Sequence, residues 1–226
     1  MSKLSLYYSI ISPPSRFALI VAKMLELDFE EKVVDLLSGK HLTEEYRQIN
    51  PSQTVPALVD GDMKMFDSNA IAIYLVEKYA KDDSLYPKNL EQRARVNEQL
   101  FYIASYLFPR GLMVIKGGLS GTLTEIPQKS IDDFNRGYEV IESFLKNVEY
   151  LSGSSLTLSD LSLWSLMESG EQIVPIDENR FPNFAKWMKK MRHENKFSQL
   201  NKEGADLHIS IFKQCLEKNR AKVNSN

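Results

Sequence analysis

The stretch Asn50-Pro51-Ser52-Gln53-Thr54-Val55-Pro56-Ala57-Leu58, followed by Phe66-Asp67-Ser68-Asn69-Ala70-Ile71, decides how this chain is read. A proline entering a short apolar strand removes a ladder donor, so Pro56 is expected at the first strand position or in a turn. Held cis, it would turn the Val55 backbone outward and leave its N–H and C=O free for an extended ligand. Asp67-Ser68 then directly precedes the helical run Ala70-Ile71-Ala72-Ile73-Tyr74-Leu75-Val76. That is an N-cap signature, and it aims unpaired N–H groups and a positive dipole end at one spot. The expectation is a strand edge that pairs with a peptide backbone, beside a helix end that takes a carboxylate.

Working outward, the first eighty residues alternate between strand and helix patterns. Lys3–Tyr8 reads as a strand. Pro14–Leu27 reads as a helix, with Phe17, Ile20, Val21, Met24 and Leu25 on one stripe. Phe29–Asp35 returns to strand character, and His41–Ile49 reads as a short polar helix. Ala57–Val59 and Met63–Phe66 read as a hairpin around Asp60-Gly61-Asp62. Asp67–Tyr79 closes the unit. The order βαβαββα is that of a thioredoxin-like α/β domain, assigned to residues 1–80. Residues 81–89, with Lys81-Asp82-Asp83-Ser84 and Tyr86-Pro87, read as a linker. Beyond it strand-like alternation stops. Glu91–Leu119, Ser130–Asn147, Thr157–Gly170, Phe181–Arg192 and Asp206–Arg220 carry apolar residues at helical spacing, so residues 90–226 are expected to form an all-α domain. Within it, Thr157-Leu158-Ser159-Asp160 is a capping box, a folding signal rather than a reactive group.

Composition narrows the function classes. The chain has 226 residues, 43% hydrophobic and 26% charged, with a formal net charge of −2. Its charges are interspersed, so no basic surplus points to nucleic acid or anionic lipid. No apolar run has the length of a membrane span, and Met1-Ser2-Lys3 leads straight into the first strand without a signal-peptide core. Cys215 is the only cysteine, which excludes an intrachain disulfide and favours a cytoplasmic location. His41, His193 and His208 lack metal-site spacing, and no metal is expected.

Ile11-Ser12-Pro13-Pro14-Ser15-Arg16, Gly39-Lys40-His41, the Val55-Pro56 pair and Asp67-Ser68 together resemble the cytosolic glutathione S-transferases, in particular the insect epsilon and delta classes, epsilon more than delta. The resemblance runs over essentially the whole chain and is strongest in residues 4–87. It implies glutathione as co-substrate, a symmetric homodimer formed around Glu91–Phe101 and Ser68–Tyr79, and conjugation of small hydrophobic electrophiles in detoxification. Glutathione-dependent peroxidase or isomerase activity is a further family-level option. It also implies roles. Ser12 stabilises the thiolate, while His41 and Gln53 reach the glycyl carboxylate. Val55, with Thr54 and Pro56 around it, pairs with the cysteinyl backbone. Asp67 receives the γ-glutamyl ammonium and Ser68 its neighbouring carboxylate. The chemistry agrees: a thiol of pKa about 8.5 is only slightly ionised at neutral pH, and a hydroxyl donor at a helix start favours the thiolate. Ser12 taken alone reads more readily as a plain N-cap, a balance that the Val55-Pro56 and Asp67-Ser68 elements reverse, and Ser15 competes for the same role. His41 alone reads equally as an exposed histidine.

The chain departs from the pattern in three places. Gln53 stands where epsilon-like proteins place a histidine before the cis-proline. Asp67 is one methylene shorter than the glutamate of many relatives. Phe108-Pro109-Arg110 is followed by Gly111-Leu112, so an arginine expected near the second substrate is missing. Leu36, Leu37, Phe108, Leu112, Ile115 and Leu119 are candidates for that substrate's apolar wall, although such a stripe is just as readily ordinary core. Pro109 and Gly111 predict a kink there. The main alternative function is a non-catalytic glutathione or hydrophobic-ligand binder of the same fold. A thiol–disulfide oxidoreductase would need a cysteine where Ser12 stands.

Overall fold

The computed structural model describes residues 4–224. Its first part is a four-stranded sheet flanked by helices: β1 (Ser5–Tyr8), α1 (Pro13–Met24), β2 (Glu30–Val33), a 3₁₀ turn at Lys40–Leu42, α2 (Glu44–Arg47), β3 (Ala57–Asp60), β4 (Met63–Phe66) and α3 (Ser68–Tyr79). The strand order is β2-β1-β3-β4. β1 runs parallel to β2 and antiparallel to β3, with Leu6 opposite Leu58, and β3 pairs antiparallel with β4. This is the thioredoxin-like arrangement. The β3–β4 pairing ends at Asp60 opposite Met63, leaving Gly61-Asp62 as the hairpin loop. The edge strand β2 carries Glu30, Glu31 and Lys32, charges that discourage pairing with a foreign strand.

Among the described residues, the regular elements that follow are helical: α4 (Leu90–Tyr102), α5 (Phe108–Ser120), α6 (Gln128–Phe144), α7 (Leu158–Gly170), α8 (Pro182–Glu194) and α9 (Ser198–Asn224). Among the described residues, no helix is long and apolar enough to cross a membrane.

Three local expectations need correction, and a fourth is not covered. The expected strand start at Lys3 lies outside the described residues. The polar helix expected over 41–49 is broken at Thr43, whose extended backbone and hydroxyl cap a new helix by accepting from Tyr46 N–H at 3.3 Å. Helix α1 is buried all round rather than along one stripe: Phe17 through Ala22 are each at most 1% exposed. It packs against α3 on its own side and against α7 and α9 of the helical part, a second partner that a single amphipathic stripe cannot reveal. Finally, α9 begins eight residues before the expected Asp206, because its first turns bury Asn201 and Gly204, which carry no hydrophobic signal.

The run expected as one kinked helix over 91–119 is continuous, but Ile103–Leu107 opens into a π turn between α4 and α5. Pro109 has no N–H to give the Ser105 carbonyl, and the wider turn just before it absorbs that mismatch. The disturbance therefore lies on the N-terminal side of Pro109.

Two polar networks hold elements in place. Asp60 Oδ2 accepts from Tyr74 Oη, Lys78 Nζ and Tyr79 Oη at 2.6–2.7 Å, tying the hairpin to α3. These donors, Lys78 first, hold its carboxyl down at about 2. Asp160, fully buried at the capping box, accepts from Leu151 N, Thr157 N, Thr157 Oγ1 and Trp187 Nε1 at 2.8–3.0 Å. Burial pushes its carboxyl up while the four donors oppose the shift. The box thus joins α7, α8 and the loop before α7.

Candidate active site

β1 ends against the N-terminus of α1, and the loop between them presents Ser12. Its backbone is extended (φ −90°, ψ 117°), and its Oγ accepts from Ser15 N–H at a long 3.4 Å. Ser12 is therefore an N-cap, and its hydroxyl proton remains uncommitted. Pro13 and Pro14 fill the first two helical positions, where a missing N–H costs nothing. The Ser15 N–H is spent on Ser12 Oγ and the Arg16 N–H on the Ser12 carbonyl. The expected helix dipole thus arrives without free N–H donors, and the Ser12 hydroxyl is the donor this helix start offers. Ser15, the competing serine, is wholly buried with its Oγ unpartnered, and it caps nothing.

All eight residues expected to meet glutathione line one cleft of about 820 Å³: Ser12, His41, Gln53, Thr54, Val55, Pro56, Asp67 and Ser68. The Val55–Pro56 bond is cis, as expected. Neither the N–H nor the C=O of Val55 has a partner among the described residues. The loop before it is pinned by Asn50, which is buried and donates from Nδ2 to the Thr54 carbonyl at 2.7 Å, and by Tyr46 Oη, which donates to the same carbonyl at 2.7 Å. Burial pushes the Tyr46 phenol up to about 12, so it stays a donor. The anchoring role of Asn50 carries no local sequence signal, because it depends on Thr54 folding back onto it.

Two cleft residues hold left-handed backbones without being glycine: Gln53 at φ +53° and Asp67 at φ +72°, ψ 119°. Such positions are strained, and they concentrate where a chain must present a group in a set direction. Asp67 Oδ1 accepts from the N–H groups of Asn69 and Ala70 at 2.9 and 3.1 Å, capping α3. The other carboxylate oxygen takes no part in these bonds, and the Ser68 hydroxyl has no partner among the described residues. Gly39, at φ +74°, allows the left-handed turn that delivers His41 to the cleft. His41 Nδ1 and Asn69 Oδ1 are buried without a hydrogen-bond partner on this same wall. Asn69 escaped the sequence reading because it looks like any first-turn helix residue.

A second, apolar pocket of about 330 Å³ adjoins the cleft. The six expected wall residues, Leu36, Leu37, Phe108, Leu112, Ile115 and Leu119, all line it. Leu37 (66% exposed) and Leu119 (49% exposed) form its rim rather than its floor. Leu166 on α7, Ile173 in the turn that follows α7 and Phe212 on α9, all distant in sequence from α5, complete the floor. Ser12 lines both cavities, so a sulfur held at its hydroxyl would meet a molecule in the apolar pocket.

Sequence reading also missed what holds the Ser12 loop. Arg16 is fully buried, and burial pulls its guanidinium down to about 9. Nε donates to Asn201 Oδ1 (2.8 Å), Nη1 to the Ile10 carbonyl (3.1 Å), and Nη2 to the Ser165 carbonyl (2.8 Å) and Ser169 Oγ (2.9 Å). One side chain thus joins the β1–α1 loop to α7 and α9. Beside it, His208 Nδ1 lies 3.3 Å from Ser169 Oγ on the apolar-pocket wall. Burial first, then the Arg16 charge, pulls this imidazole down to about 4.

A thioredoxin-like domain with an unpaired Val55 backbone and a donor hydroxyl, joined to helices that supply an apolar pocket, defines a glutathione-handling two-domain fold. The family models agree: the glutathione S-transferase N-terminal domain matches residues 3–77 and the C-terminal domain residues 123–195. Glutathione S-transferase 1 of Manduca sexta is 35% identical over 210 residues, covering 90% of this chain and 94% of that protein. Among solved structures, an epsilon-class glutathione S-transferase from the housefly Musca domestica superposes with a TM-score of 0.90 at 40% identity, over 94% of this chain and 98% of that one. A glutathione transferase homologue from Drosophila mojavensis, solved with bound glutathione, gives 0.86 at 36% identity, over 97% and 98%. A delta-class transferase from Nilaparvata lugens gives 0.86 at 30% identity, over 94% and 99%. The chain belongs to the glutathione S-transferase family.

Proposed function

We propose that this enzyme ionises glutathione at Ser12 and conjugates it to small hydrophobic electrophiles in a detoxifying role. The carrying observation is that Ser12 is common to a cleft with an unpaired Val55 backbone and to an apolar pocket. In this reading the cysteinyl backbone of glutathione pairs with Val55 N–H and C=O in the manner of an added strand. The γ-glutamyl ammonium meets Asp67, its carboxylate meets Ser68 and the start of α3, and the glycyl carboxylate meets His41 and Gln53. The sulfur then lies at the Ser12 hydroxyl. The thiol gives its proton to solvent, the hydroxyl donates to the resulting thiolate, and the sulfur pair attacks the electrophile held in the apolar pocket.

The greater identity to the housefly epsilon enzyme than to the Nilaparvata lugens delta enzyme supports an epsilon-type assignment. Residues 1–80 and 90–226 serve as the two domains, with 81–89 as linker. A cytoplasmic homodimer is part of the same proposal; exposed apolar side chains at Phe66, Leu90 and Phe101 border the segments expected to meet across the two-fold axis. Retention on glutathione-agarose, followed by conjugation assays with aromatic halides and unsaturated aldehydes, tests the function. Turnover supports it. Retention without turnover of any electrophile, or of a hydroperoxide, would favour a binding protein of the same fold.

A further inference from the structure

Among the described residues, the apolar pocket is lined by one lysine and by no aspartate or glutamate. That lysine is Lys116 on α5, one helical turn beyond Leu112, and it lines both the pocket and the glutathione cleft. Its ammonium is exposed and has no ion-pair or hydrogen-bond partner among the described residues. The two histidines on the pocket wall are His41 and His208, and burial keeps His208 neutral at physiological pH. Asp67, the acidic residue lining the adjoining cleft, is committed to capping α3 and does not line the apolar pocket. An uncharged apolar floor with a single unpaired cation at its mouth is an amphiphile-shaped environment. Apolar walls lower the local dielectric and strengthen the field of such a charge relative to open water.

We propose that this pocket selects electrophiles with an apolar body and an anionic end, such as unsaturated ketones bearing a carboxylate, and that Lys116 pairs with the anion. The proposal rests on the transferase reading above and names its substrate class. In the conjugation, the glutathione sulfur bonds to the β-carbon, the C=C π pair shifts into the bond between the α-carbon and the carbonyl carbon, and the C=O π pair moves onto the ketone oxygen as an enolate. Solvent then supplies the proton that the α-carbon takes up as the enolate collapses. The carboxylate stays intact and serves only to hold the electrophile, as expected of a group placed away from Ser12.

The test compares an aryl unsaturated ketone carrying a carboxylate with its methyl ester, in the wild type, Lys116→Met and Lys116→Glu. Specificity is read as the acid-to-ester ratio of kcat/KM at saturating glutathione, each rate divided by its uncatalysed counterpart. A partly exposed ion pair is worth a factor of about two to five. The wild-type ratio is expected to favour the acid by that factor, to fall to about one in Lys116→Met, and to invert in Lys116→Glu. Raising ionic strength from 0.01 M, with a Debye length of about 30 Å, to 1 M, with about 3 Å, should narrow the wild-type preference. Calorimetric titration of the saturated, unreactive acid and ester into glutathione-loaded protein reads the same preference without turnover. Failure of catalysis would therefore overturn the transferase reading while this measurement still decides the present one. Equal affinity for the two analogues overturns the proposal. So does a glutathione KM that rises alike with either electrophile in Lys116→Met, which would assign the lysine to the glycyl carboxylate instead.

Discussion

Gly204 on α9 lies so close to Ile10 that a Cβ added to it would stand 2.4 Å from the Ile10 carbonyl oxygen and 2.6 Å from Arg16 Cδ. The first contact is with backbone, which no rotamer change relieves. It is also the carbonyl that Arg16 Nη1 bonds, just ahead of Ser12. The seating of the reactive loop thus depends on a glycine near the opposite end of the chain.

Gly204→Ala is accordingly expected to destabilise, although alanine is the better helix former by about 1 kcal/mol. Overpacking of this kind costs about 1–3 kcal/mol, and here it also displaces the Arg16 bonds. A lower melting temperature with reduced kcat is the expected outcome; a melting temperature at or above wild type would show that the loop yields freely.

Arg16→Lys probes the same clamp from the other side. Lysine keeps a charge but cannot reproduce the four-acceptor fork, so several buried acceptors lose partners at about 1–3 kcal/mol each. Denaturant unfolding should shift by about 3 kcal/mol or more. Conjugation measured well below the unfolding transition should also fall, because the Ser12 loop loses its anchor to α7 and α9. A variant that is less stable yet fully active would make Arg16 a folding residue only.

The clamp marks where sequence reading stopped. The cleft residues at Gln53–Pro56 and Asp67-Ser68 were legible because each signal is local: a proline before a strand, an acid before a helix. The Arg16–Asn201 bond joins residues 185 positions apart, and nothing near Asn201 distinguishes it from a surface polar residue. Likewise Ser12 and Ser15 are equivalent by spacing, and only burial separates them. The pocket rim at Leu37 and Leu119 was legible as apolar spacing; its floor at Leu166, Ile173 and Phe212 required α9 to pack against both α5 and α7.

Ser12→Ala removes the one donor that the start of α1 presents to the cleft. Loss of a donor aimed at developing charge costs about 2.7–4 kcal/mol. Turnover should fall at least ten-fold and the pKa of bound glutathione should rise, while glutathione affinity changes little. Ser15→Ala is the matched control. Its hydroxyl is buried without a partner, so removing it should leave both activity and stability near wild type or slightly improve the latter. Full activity in Ser12→Ala with loss in Ser15→Ala would reverse the assignment.

His208 supplies a pH dependence. Its folded pKa of about 4 lies below the ordinary 6.5, so between these values the unfolded chain binds the proton that the folded chain rejects. Stability is then fully present above pH 6.5 and lost as pH falls toward 4, by about 3 kcal/mol in all. His208→Gln keeps a polar partner for Ser169 without a titrating group. Its unfolding free energy should fall less than wild type's between pH 6.5 and 4.5. Parallel profiles for the two proteins would place the acid sensitivity elsewhere.

Gln53 gives the most direct reading of the glycyl end of the site. It is half-buried on the cleft wall, held at φ +53° by the turn in which its N–H donates to the Asn50 carbonyl at 3.0 Å. Histidine tolerates that backbone region better than most side chains, so Gln53→His should fold without penalty. A neutral amide donor would be exchanged for an imidazole that protonates with an ordinary pKa near 6.5. Charge-assisted bonds to a carboxylate are about twice as strong as neutral ones, which corresponds to roughly 1 kcal/mol, or about a five-fold lower KM for glutathione. The gain should be greatest near pH 6 and small near pH 8, with kcat changed little, because the contact is the same in ground and transition states. Steady-state kinetics at the two pH values decide it: a glutathione KM equal to wild type at both would show that position 53 does not reach the glycyl carboxylate.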